Sequence, residues 1–170
     1  VNPTKPLPSQ EELLEFFVYE PDTGLLTWRI SVNARAQAGY RAGTKRKQHI
    51  RWRGKFYRIC RVIYKLVHNE EPPEVDHIDG DRNNMRIDNL RAATRSQNGM
   101  NKGAQINNKL GVKGVHVNED GSYTAQIRVP RPEGGKGKMT YLGRHKTVEE
   151  AAAVYAEASR KYHGEFGRTK

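Results

Sequence analysis

The sequence predicts an α+β protein assembled from small modules, and three observations carry that expectation. Hydrophobic side chains make up 35% of the 170 residues and mean hydropathy is -0.89, too little apolar content for one deep core. Short runs of strand-like alternation sit between short runs of helical spacing, separated by turn residues and without internal repeats. The pattern changes after residue 112, where three strand-like runs precede an alanine-rich helix. The length suits one ordinary domain or two small ones.

Taken in order, the first eight residues hold three prolines and are expected to form an extended arm. Ser9 and Glu12 fit a capping box for a short helix whose apolar face is Leu13, Leu14, Phe16 and Phe17. Pro21-Asp22-Thr23-Gly24 is a turn signal, and Leu25 to Ile30 reads as a strand. Gln48 to Arg53 and Lys55 to Ile59 read as a hairpin around Gly54. Arg61 to His68 has helical spacing with Val62, Ile63, Leu66 and Val67 facing inward, and Pro72-Pro73 ends it. Asn89 to Ala93 reads as a strand, and Thr94 to Gln97 as a second capping box. Residues 101–112, rich in Asn, Gly and Lys, read as a linker. Lys113 to Asn118, Ser122 to Val129 and Lys138 to Gly143 are three strands, and Thr147-Val148-Glu149-Glu150 caps a helix to about Tyr162.

Charge says more than composition. The formal net charge is +11, as expected of a chain that binds a polyanion. Residues 31–69 carry eleven Lys and Arg and no Asp or Glu, interleaved with Trp52, Phe56 and Tyr57. That stretch reads as a phosphate-tracking surface, with Arg51, Arg53 and Lys55 as DNA-contact candidates. No apolar run approaches the roughly 18 residues of a membrane span, and no segment resembles a signal peptide. Cys60 is the only cysteine, which excludes an internal disulfide framework and a thiolate-rich zinc site and suits a reducing cytoplasm.

Residues 70–90 reverse the charge, with seven acidic side chains against two basic ones. Their centre is Val75-Asp76-His77-Ile78-Asp79-Gly80-Asp81. A carboxylate knot in so basic a chain is out of place unless it holds a cation. His77 suits a general base, since imidazole titrates near neutral pH, and oxygen donors favour Mg²⁺ or Mn²⁺ over zinc. Asn83, Asn84 and Arg91 are expected to order the loop or meet phosphate.

Asp76-His77, Asn89 thirteen positions after the Asp and Asn98 twenty-two after it resemble the HNH endonucleases with a ββα-metal site. More narrowly they resemble the His-Asn-Asn variant of phage and intron homing endonucleases. The resemblance implies His77 as general base, Asp76 and Asn98 as metal ligands on the first strand and the helix, and Asn89 on the second strand, holding the imidazole in its working tautomer. The commoner family pattern has His in the last position, so Asn98 leaves the identity of the ion open.

A second resemblance covers residues 113–163. Gly114-Val115, Ala125-Gln126-Ile127-Arg128, Tyr141-Leu142-Gly143 and Thr147 to Ala152 look like the Apetala/ethylene-response-factor DNA-binding domain, three antiparallel strands backed by a helix. Alternation alone turns Ala125, Ile127 and Val129 toward the helix, with Thr124, Gln126 and Arg128 outward. On the helix, Ala152, Val154, Tyr155 and Ala158 are the expected packing partners. The resemblance implies Lys113, His116, Gln126, Arg128 and Tyr141 as DNA contacts, with Lys113 on phosphate.

The expected organisation is an HNH nuclease region over 1–100, a linker over 101–112 and a DNA-reading domain over 113–170. The function it implies is metal-dependent cleavage of double-stranded DNA in a bacterial or phage setting, nicking as a monomer or breaking both strands as a homodimer. The competing reading is a non-catalytic DNA-binding regulator with a degenerate nuclease core; an RNA-binding protein is weaker, since no RNA-stacking motif is present.

Overall fold

Ser9 starts the first ordered element because its Oγ accepts the Glu12 N–H at 3.2 Å, satisfying a donor that the helix cannot. In the computed structural model, which describes residues 6–44, 48–132 and 134–169, this helix α1 runs Gln10–Phe16. The first five residues of the expected extended arm lie outside that description. The other half of the expected capping box is replaced, because the Glu12 carboxylate pairs with Arg53. The chain divides into two compact units, residues 1–94 and 95–170.

The first unit is built on three two-stranded antiparallel ribbons. Strand β1 (Phe17–Glu20) pairs with β2 (Leu25–Trp28), β3 (His49–Trp52) with β4 (Lys55–Arg58), and β5 (Glu74–His77) with β6 (Leu90–Ala93). Helix α2 (Ile59–His68) follows β4 directly and packs on β4, β5 and β6. A two-stranded ribbon is marginal alone, so all three share one apolar cluster. Phe17, Trp28 and Trp52 are at its centre, with ring centroids 4.7 Å apart for Phe17–Trp28 and 5.4 Å for Phe17–Trp52. Ile63 from α2, Val75 from β5 and Leu90 from β6 close it from the other side.

Several expectations are corrected here. Phe17 is not on the helix: it opens β1, 1% exposed, pairing with Trp28. Leu14 and Val67, expected inside, are 45% and 41% exposed. Both sit at the rim of an apolar stripe wider than the surface it covers. Ile59 belongs to α2, and Asn89 ends a 3-10 turn (Ile87–Asn89) just before β6. The hairpin forms around Gly54 as expected, but Arg53, expected to end the strand, joins the turn: Arg53 and Gly54 are both at positive φ (47° and 73°), as a two-residue type I′ turn requires.

The second unit opens with a short helix α3 (Arg95–Met100), followed by strands β7 (Val115–Val117), β8 (Tyr123–Val129) and β9 (Lys138–His145) in that spatial order. Helix α4 (Val148–His163) backs the sheet and starts at a full capping box between Thr147 and Glu150. Val115, Ala125 and Ile127 face Ala151, Tyr155 and Ala158. The strand alternation is as expected, but Ala151, not Ala152, is fully buried, since the inward stripe runs 151, 155, 158. A bulge between Ala125 and Gln126 shifts the register so that Gln126 stands opposite Tyr141.

Candidate active site and nucleic-acid surfaces

The β5–β6 register brings the acidic island against a cation. Asp76 stands opposite Arg91 and His77 opposite Leu90. Directly opposite side chains touch, and here Nε and Nη2 of Arg91 donate to Asp76 Oδ2 at 3.0 and 2.9 Å. Asp76 is only 3% exposed, so this guanidinium offsets much of the cost of burying its charge.

His77 ends β5 and is half-buried. Burial pushes its imidazole below the usual histidine range; Asp76 and Asp79 oppose that, Arg82 adds to it, and Asp81 opposes it weakly. The ring is therefore neutral at neutral pH, the state a general base needs. Gly80, at φ 75°, turns the chain at once, its N–H bonding the His77 carbonyl at 2.8 Å.

The loop that follows is held by amides. The Asn89 side chain accepts the Asp79 N–H at 3.0 Å and donates to Asp79 Oδ1 at 3.0 Å and to the Asn84 carbonyl at 2.9 Å. Asn84 donates to Asp79 Oδ2 at 2.7 Å, and Asp81 N–H to Asp79 Oδ1 at 2.8 Å. Burial pushes the Asp79 carboxyl up, but the Asn84 amide, the Asp81 N–H and the Asn89 amide outweigh it and hold the group below the usual carboxylate value. Among the described residues none of Asn89's hydrogen bonds goes to His77; its amide orders the loop beginning one residue later.

This loop is braced from the N-terminal ribbon. Tyr19 Oη donates to the Met85 carbonyl at 2.9 Å. At Gly24, with φ 70°, an added Cβ would lie 2.7 Å from the Arg86 nitrogen, so only glycine lets the β1–β2 turn approach. Asn98, the remaining expected ligand, is half-buried on α3 in the second unit.

Residues 57–100 match the family model described as HNH endonuclease, a span that holds Asp76, His77, Asn89 and Asn98. Over that span the chain is similar to the HNH endonucleases. Over 112 residues it is 33% identical to a protein of Acanthamoeba polyphaga mimivirus described as an uncharacterized HNH endonuclease, which covers 64% of this chain. The chain spans about half of that relative's length (54%). No solved structure matches it.

Among the described residues no three His, Cys, Asp or Glu side chains cluster as a metal site. The candidates are one carboxylate and one amide, both hard oxygen donors, which suits an ion that keeps most of its waters, as Mg²⁺ does.

Outside the matched span, the expected DNA contacts fall into two groups. Arg51 and Lys55 are exposed on the β3–β4 hairpin. Arg53 pairs with Glu12 and lies over the Phe16 and Trp52 rings at 5.2 and 4.8 Å. On the three-stranded sheet, Gln126 Nε2 lies 2.7 Å from His116 Nε2, so the amide donates to the ring. Arg128 Nη1 donates to the Gly137 carbonyl at 2.8 Å, and Tyr141 is 65% exposed. Lys113 is elsewhere: it is half-buried and its ammonium donates to the Met100 carbonyl at the end of α3. Burial and Arg168 push its ammonium down to about 8.

Three residues of this picture escaped the sequence reading. Asp79, given no role of its own within the acidic island, is the hub of the loop. Arg91 was assigned to the loop or phosphate, whereas its partner is Asp76. Arg144, across from Thr124 on β9, pairs with Asp120 and joins the open face of the sheet. The antiparallel register is the signal that pairs Asp76 with Arg91, but it needs the strand alignment first. Among the described residues no helix is long and apolar enough to cross a membrane.

Proposed function

We propose that this protein is a metal-dependent DNA endonuclease that hydrolyses a phosphodiester in double-stranded DNA. The observation that carries the reading is a half-buried His77 at the end of β5, between a buried Asp76 and a loop that Asn89 and Asn84 hold in place. In this reading His77 takes the proton of the attacking water, and Asn89 fixes the backbone that presents it. Asp76 and Asn98 would hold one Mg²⁺ or Mn²⁺, whose chemistry is to neutralise charge on the phosphate and the leaving oxygen. Arg91 would then exchange Asp76 for the phosphate, since a guanidinium binds either with two donors. One such site addresses one strand, so a monomer nicks and a homodimer breaks both. The sheet face of residues 113–163 would choose the locus, as the Apetala-like resemblance implies, in a protein of phage or mobile-element type.

A second reading has one observation in its favour. The Asp76–Arg91 ion pair satisfies the carboxylate without a metal, as in a DNA-binding regulator with a degenerate nuclease core. Supercoiled plasmid with Mg²⁺ or Mn²⁺ separates the two. Nicking by the wild type, lost in His77→Ala with plasmid binding retained, supports the nuclease. Binding by both proteins with no nicking under either ion establishes the regulator.

A further inference from the structure

The β3–β4 hairpin turns Ile50, Trp52 and Tyr57 inward and leaves His49, Arg51 and Phe56 on its outer face. Phe56 is 63% exposed, a phenyl ring left in solvent on the outer face of a hairpin whose other face is buried. Its cross-strand partner is Arg51, whose guanidinium carbon lies 5.9 Å from the ring centroid. Beside this pair runs an open groove of about 680 Å³, walled by Arg35, Arg41, His49, Arg51 and Phe56 over a floor that includes Trp28. Arg35, Arg41 and Arg51 make no ion pair among the described residues, and residues 31–69 contain no carboxylate that could pair with them.

We propose that this groove binds an unpaired nucleotide of the DNA substrate, its base stacked on Phe56 and its flanking phosphates held by Arg35, Arg41 and Arg51. The choice between duplex and single strand follows from the ring. A phenyl group carries no donor or acceptor for base edges, and the faces of paired bases are already occupied by their neighbours. A base outside the stack offers a free π-face, and stacking with a guanidinium alongside is how sequence-tolerant single-strand sites are built. The groove has room for one nucleotide, and its unpaired guanidinium groups supply the counter-charge for that nucleotide's phosphates. The inference takes DNA as substrate from the preceding section but does not use the HNH catalytic residues.

The 170-residue chain in EDTA, titrated into labelled dT20, rU20 and a 20-base-pair duplex, tests this by fluorescence anisotropy. Phe56→Ala is expected to weaken dT20 binding about tenfold, the low end for loss of one base–aromatic stack, and duplex binding less than twofold. Phe56→Trp restores dT20 affinity, and Arg35→Ala with Arg41→Ala flattens its salt dependence. Equal losses on strand and duplex, or no loss on dT20, overturn the proposal. So does dependence on Phe56 for rU20 alone, which makes the groove an RNA site. Plasmid nicking is scored separately: wild type that nicks while Phe56→Ala binds dT20 normally sinks the groove and leaves the nuclease. Phe56-dependent dT20 binding without nicking under any divalent ion does the reverse.

Discussion

At the β5–β6 pairing, a carboxylate and a guanidinium bury each other, and each residue's behaviour depends on its partner. Arg91→Ala leaves Asp76 charged and buried without its cation, so the first unit should lose about 3 kcal/mol of stability. Trp28 and Trp52 both lie in that unit's core, so urea unfolding followed by tryptophan fluorescence reads this loss without interference from the second unit. The double change Asp76→Leu with Arg91→Met should recover most of it, because no charge then remains buried. His77 gives a kinetic prediction with a definite sign. Burial lowers its pKa, so nicking at fixed Mg²⁺ should rise with pH through a midpoint below about 6.5 and be flat by neutral pH. A midpoint above 7 in the pH–rate profile would remove His77 from the role of base.

Elements in the second unit depend on their ends. The Thr147–Glu150 box satisfies two orphan N–H groups of α4, and Thr147→Ala should cost about 1 kcal/mol. Amide exchange of α4, which isolates that helix, should speed up about fivefold at the same pH. At the other end, His163 Nε2 donates to the Arg128 carbonyl at 2.8 Å, which leaves Nδ1 unprotonated and buried. Burial lowers this histidine's pKa; the bond to Arg128 opposes that and Lys113 adds to it. The unfolded chain therefore binds the proton more readily than the folded one. The stability this group contributes is present above about pH 6.5 and is lost as pH falls toward the lower folded value. Exchange protection of α4 should fall between pH 7 and 5.5 in the wild type and less in His163→Gln; equal falls would deny the residue this role.

For the whole molecule, two compact units raise the question of what each would contribute to the proposed cutting. Truncation after residue 105 should leave weaker and less selective nicking, because it removes the sheet that carries Gln126, Arg128 and Tyr141. It also removes Lys113, whose ammonium caps the end of the helix that carries Asn98, so the rate should suffer along with selectivity. Mapping nicks on a long random-sequence duplex checks this, and an unchanged site preference in the truncated protein would remove the address role from the C-terminal sheet.

Much of this was legible in the sequence because the signals were local. Caps at Ser9 and Thr147, the Arg53-Gly54 turn and the alternation of β8 each depend on residues a few positions apart, whose geometry the backbone dictates. The candidate site residues stood out for a related reason: their types and spacing resemble a family's, and the family match over 57–100 spans their positions. What stayed hidden depends on residues far apart in the chain. Phe17 reads as the fourth apolar residue of a helix until Trp28 takes it into a strand. Asp79 reads as one more carboxylate of the acidic island until Asn84 and Asn89 close on it, and Arg91 as a loop or phosphate contact until register sets it against Asp76. By itself the sequence determined where the charge lies and which groups are candidates for the chemistry. Only the tertiary structure decided which of them neutralise one another, because burial and register set the partner of each buried charge, and neither is a property of neighbours along the chain.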